Sequence, residues 1–186
     1  INEPFQSCLE SIPSLYKSGM IVGDFQSALN CRRQYCNIAF YIGSNLRSVS
    51  NASVILLQQM RKYKQSMAIH RTMSTLEACR ILSGEVFDDH TALKSLDELL
   101  VIGKETKDSV TLVKVSLDQM YISFLFRDYA AVINIEETVP HSPHRRVQNI
   151  IKIFCVGIAS LSLARSDTDS LKQHVWRSKG EEALRQ

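Results

Sequence analysis

His141-Ser142-Pro143-His144 places two imidazoles three positions apart. With Cys155 or His174 folded nearby, such a pair could offer nitrogen and sulfur ligands to zinc. Zinc sites usually carry paired ligands at both ends of the binding segment; here only one end is paired, so ordinary loop histidines beside a helix start are the better reading. His70 lies on an apolar helical stripe. Acid–base catalysis there would need a carboxylate or nucleophile within hydrogen-bond reach. A phospho-accepting histidine would want an acidic residue directly after it, and Arg71 stands in that place. It therefore reads as a core or groove histidine. Asp24 and Asp128 each follow a helix end and precede an aromatic residue, which is the position of a helix cap. Glu136-Glu137 and Asp88-Asp89 read as solvated pairs at helix ends, not as acid–base dyads. Neither GxxxxGK[ST] nor GxGxxG occurs, so phosphate binding by those loops is not expected. No catalytic, cofactor-binding or metal-ligating residue is assigned.

The charge balance narrows the binding chemistry further. Twenty-two basic and nineteen acidic side chains leave a net charge of +3, too even for a nucleic-acid or membrane-surface footprint. Arg32-Arg33 and Arg145-Arg146 are short basic pairs on a solvated face, without the broad cationic surface and stacking aromatics that nucleic acid requires. Met60, Met67 and Met73 form a soft stripe, normally core packing and occasionally a peptide groove. Five cysteines, none in a CxxC pair, read as reduced, buried thiols of a cytoplasmic protein. Asn51-Ala52-Ser53 is a glycosylation sequon taken as chance. No run of 18 apolar residues is seen, so no transmembrane helix is expected.

The elements that must hold these residues are helical. Glycine (7) and proline (4) are scarce in 186 residues, and both punctuate β-rich folds. A first helix is expected from about Pro4 to Val22, with Pro13 kinking it or starting its second half. A second follows Gly23-Asp24 and ends near Gly43. A long helix over roughly Val49–Leu82 carries Leu56, Met60, Tyr63, Met67 and His70 at spacings of three and four. Asp88 or Asp89 would cap a helix from Thr91 to about Ile102, closed by Gly103-Lys104. Helices over about Lys107–Phe126 and onward to Thr138 come next. The most apolar helix, Arg145–Arg165, carries one stripe of Ile150, Phe154, Ile158 and Leu161 and another of Ile151, Cys155 and Ala159, expected to be buried on more than one side. Gly157, Ala159, Ser160 and Ala164 on it would admit another helix closely. A polar final helix spans about Asp169–Leu184.

Two corners repeat. Gly23-Asp24-Phe25-Gln26-Ser27-Ala28-Leu29 returns as Arg127-Asp128-Tyr129-Ala130-Ala131-Val132-Ile133, 104 positions on, close to three periods of about 34 residues. These corners resemble the turn between the two helices of a tetratricopeptide repeat, with Ala28 in the small-residue slot, Val132 filling it less well and Arg127 replacing the usual glycine. A wider stretch is similar to the helical region downstream of the AAA-type ATPase module in very large signalling proteins that also carry serine/threonine-kinase, histidine-kinase or cyclase parts. It comprises GDFQSALNCRRQYCNIAFYIGSNL, KYKQSMAIH, YISFLFRDYAAVI and IKIFCVGIASLSLAR. The resemblance implies an all-α fold of antiparallel helical hairpins stacked as a tetratricopeptide-like solenoid, one helical-repeat segment over residues 1–186 cut from a larger protein. It implies a non-catalytic scaffold that binds a protein partner or adjacent domains of the same chain, with neither nucleic acid nor membrane as partner. No cofactor is expected in the segment, ATP belonging to an upstream domain. Tyr35, Tyr63, His70 and Tyr121 are the expected protein-binding residues on a concave face. The alternative is part of an ATPase, kinase or cyclase module whose active-site motifs lie outside these residues.

Overall fold

The computed structural model describes residues 5–84, 94–139 and 146–185. Among them are nine α-helices and no strand: α1 (Phe5–Val22), α2 (Phe25–Tyr41), α3 (Leu46–Lys62), α4 (Ser66–Ser83), α5 (Leu96–Glu105), α6 (Ser109–Leu125), α7 (Tyr129–Thr138), α8 (Arg146–Ser166) and α9 (Ser170–Arg185). The expected all-α class holds. The chain divides into two compact units, Ile1–Glu98 and Leu99–Gln186.

Backbone chemistry at the corners explains where helices stop. At the ends of α2, α3, α5 and α6 the two N–H groups past the helix turn back onto its last carbonyls. At α6, Arg127 N donates to Phe124 O at 3.0 Å and Asp128 N to Ser123 O at 2.9 Å. At α5, Lys107 N donates to Lys104 O at 3.2 Å and Asp108 N to Gly103 O at 2.9 Å. This is the Schellman arrangement, and it requires a left-handed residue at the turn. Gly43 supplies it after α2, whereas Lys64, Lys107 and Arg127 adopt φ of 55°, 51° and 62°. Helices α2, α3, α6 and α7 are each capped at the start by a side-chain oxygen, whereas Gln65 before α4 makes no such bond. Asp24 accepts from Ser27 N at 3.1 Å, Asn45 from Ser48 N at 3.1 Å and Asp128 from Ala131 N at 3.0 Å. Asp108 accepts from Val110 N and Thr111 N, each at 3.1 Å, and also from the Thr111 hydroxyl at 2.6 Å.

Three expectations need correction. The long helix over 49–82 is two helices, broken at Tyr63–Gln65 because Lys64 takes the left-handed turn while Gln65 N reaches back to Met60 O at 2.9 Å. Helix α5 starts at Leu96, not Thr91. A reciprocal pair fixes that start: Glu98 N donates to the Ser95 hydroxyl and Ser95 N to the Glu98 carboxylate, a capping box. Gly103 does not close α5; it lies inside the helix, where Leu112 of α6 packs on its bare Cα. Asp88, Asp89 and the 141–144 histidines fall outside the described residues. Pro13 lies within α1, which continues through it.

In the first unit α1, α2, α3 and α4 pack in chain order, and α2 also meets α4. Leu29, Cys36, Leu56 and Met60 form its buried cluster, flanked by Tyr16, Tyr35, Tyr63 and Ile69. In the second unit α6, α7, α8 and α9 pack in the same sequential way, with a further α6–α8 contact. Its core joins Val113, Leu117, Met120, Val132, Ile133, Cys155, Val156 and Ala159. Burying each aliphatic side chain of this size contributes about 1.5–3 kcal/mol. Helix α9 crosses α8 at glycines: a Cβ on Gly180 would stand 3.0 Å from Gly157 O. Within α8, Asn149–Ser166 is long and apolar enough, by length and composition, to cross a bilayer; α6, α7 and α9 pack against it.

Candidate functional site

Tyr35 and Tyr63 lie in the first unit on one core cluster. Tyr35 is half-buried, and the Arg32 guanidinium sits 5.0 Å from its ring centre. Tyr63, the C-cap of α3, stacks on Phe25 with centroids 4.2 Å apart, and the Lys62 ammonium lies 5.5 Å from its ring. Stacked rings and cation–π contacts of this kind contribute about 0.5–1.5 kcal/mol each. Both tyrosines therefore help to hold α1–α4 while leaving part of their surface open. His70 is half-buried in the first half of α4. Tyr121 belongs to the second unit, on α6, packed against its core. Burial, then the neighbouring Cys155 sulfur, pushes its phenol above the ordinary value.

One turn beyond Tyr121, Phe124 begins an aromatic face. Its ring meets Phe154 of α8 edge-on at 5.6 Å and Tyr129 of α7 at 6.3 Å. Phe154 stays 49% exposed, as does Ile150 one turn earlier on α8. Phe126 at the α6 corner is 63% exposed. The stripe of Ile150 and Phe154 was expected to be buried. The structure instead buries the neighbouring line of Cys155, Val156, Ala159 and Ser160, because α6, α7 and α9 pack on that side of α8.

The sequence reads Glu136 as half of a solvated acidic pair. It is instead clamped: Lys152 of α8 reaches Oε1 at 3.0 Å, and Lys179 of α9 reaches Oε2 at 3.1 Å, while Glu137 is exposed. Burial raises the proton affinity of Glu136. The hydrogen bonds and charges of the two ammonium groups outweigh that, and its carboxyl ends below the ordinary value. The three residues line a cleft of about 350 Å³ between α7, α8 and α9. Ile153, Val156 and Ala183 form its apolar lining, and Asn149 and Glu182 complete its polar lining. Local sequence carries no signal for this triad, whose members come from three helices.

Asp24 and Asp128 are helix caps, as their hydrogen bonds require. Among the described residues no three His, Cys, Asp or Glu side chains gather as a metal site, and His174 is exposed on α9. The arrangement offers surfaces for contact and one polar cleft. No family model, no curated protein and no solved structure matches this chain.

Proposed function

We propose that this chain is a non-catalytic protein-interaction segment, its hairpins stacked in the manner of tetratricopeptide repeats and attached to a signalling ATPase or kinase in the cytoplasm. The observation that carries the reading is the half-exposed aromatic face of Phe124, Phe154 and Ile150, with Tyr121 one turn away on the same helix. Large apolar side chains gathered at a surface are the usual material of protein contacts. Support for a repeat architecture comes from the two units, each packing helices in chain order with one next-but-one contact, and from corners of one backbone type. Cys31, Cys36 and Cys155 are free thiols, as suits a reducing compartment. In this reading the first unit contributes Tyr35, Tyr63 and His70 to partner contact, and the second contributes Tyr121, one turn before Phe124 on α6.

A photo-crosslinking amino acid placed at 154 in cells, with one at exposed Glu137 as control, tests the reading. The expected result is a discrete crosslinked protein, or an adjacent domain of the same chain, from position 154 and not from 137. Phe154→Asp should weaken capture of that species by tenfold or more, about 1.4 kcal/mol, with helical content unchanged. Equal labelling from both positions would end the proposal.

A further inference from the structure

We infer that the cleft between α7, α8 and α9 binds a small zwitterion, an aliphatic α-amino acid. This does not depend on the protein-interaction reading. The cleft's volume of about 350 Å³ lies at the small end of ligand pockets, roughly 300–1,000 Å³, and accommodates an amino acid. Its charged lining is balanced, with Lys152 and Lys179 against Glu136 and Glu182. A phosphate would meet two carboxylates and a simple amine two ammonium groups, whereas a ligand carrying both signs can satisfy each.

The ion pairs set the direction of binding. Glu136 holds Lys152 and Lys179 on its two separate oxygens, so both ammonium groups converge from neighbouring helices. Each ammonium carries three donors and gives one to Glu136; the others can receive a ligand carboxylate. Glu182, exposed and in no ion pair among the described residues, is the acceptor for the ligand's ammonium. Ile153, Val156 and Ala183 offer apolar contact to an aliphatic side chain, whose burial favours binding. Because the proton affinity of Glu136 is depressed, the clamp remains charged at neutral pH.

Titration of the full chain with leucine, followed by amide chemical shifts and calorimetry, tests the inference. Leucine should saturate, with shifts centred on Lys152, Lys179 and Ala183. N-acetyl-leucine, which lacks the ammonium, and isopentylamine, which lacks the carboxylate, should each bind at least about tenfold more weakly. Lys152→Met should lower leucine affinity about tenfold, and Glu182→Gln should erase the preference for leucine over N-acetyl-leucine, each with an unchanged circular dichroism spectrum. The inference fails if leucine, isoleucine, valine and methionine show no saturation up to about 10 mM. It fails equally if N-acetyl-leucine matches leucine, or if inorganic phosphate binds more tightly than either.

Discussion

Lys114 and Asp118 stand one turn apart on α6 with both charged ends sealed from solvent and hydrogen-bonded to each other. Removing two charges from water costs several kcal/mol each, and their attraction repays it only while both are present. Lys114→Met should therefore destabilise the protein by about 3–5 kcal/mol, because it removes the ammonium bonded to a buried carboxylate. Adding Asp118→Leu should restore most of that loss. Urea unfolding of the single and double variants checks this; equal stability of the two would show that the pair is not coupled. A lysine and an aspartate four apart are the ordinary pattern of a wet helix face, so nothing in residues 114–118 announces burial. Cys155 differs. Its place in an apolar run announced a buried thiol, and burial does push it up to about 12.

At the scale of elements, the corners divide by residue type. Gly23-Asp24 declares its turn, since glycine accepts positive φ freely, and Arg127-Asp128 could be read by likeness to it. Lys64 and Lys107 hide the same turn behind side chains that carry a left-handed cost of roughly 1–2 kcal/mol, so α3 and α4 read as one helix. The α8–α9 crossing yields a graded prediction. On Gly180 an added Cβ meets Leu161 Cγ at 2.8 Å and the Gly157 carbonyl at 3.0 Å, and backbone cannot step aside. On Gly157 it meets the Leu184 side chain near the helix terminus, Cγ and Cδ2 each at 2.8 Å, while the Gly180 carbonyl stands at an ordinary contact distance of 3.6 Å. Gly180→Ala should cost about 1–3 kcal/mol by overpacking. Gly157→Ala should stay within about 0.5 kcal/mol, since the gain in helix propensity offsets the clash. Thermal melting of the two variants gives the comparison; equal losses would refute the asymmetry.

At the scale of the whole molecule, the Glu136 clamp ties three helices and makes stability depend on pH. Its folded-state proton affinity lies below the ordinary 4.5. Such a group contributes stability that is fully present above its unfolded value and is lost as pH falls through the folded value. The urea midpoint of the wild-type chain should thus fall more steeply below about pH 4.5 than that of Glu136→Gln, and the two should converge at the acid end. Parallel curves across that range would show that the clamp contributes nothing.

The order of amino acids was enough to establish a helical protein. Few glycines and prolines, apolar residues at spacings of three and four, and aspartates after helix ends are local facts, and helix formation and capping are local events. Packing decided the rest. The side of α8 that is buried depends on where α6, α7 and α9 rest, so Phe154 stays half-exposed while Cys155 is sealed. Lys152 and Lys179 meet Glu136 only because three helices converge, and electrostatic pairing follows distance in space, which position along the chain does not encode.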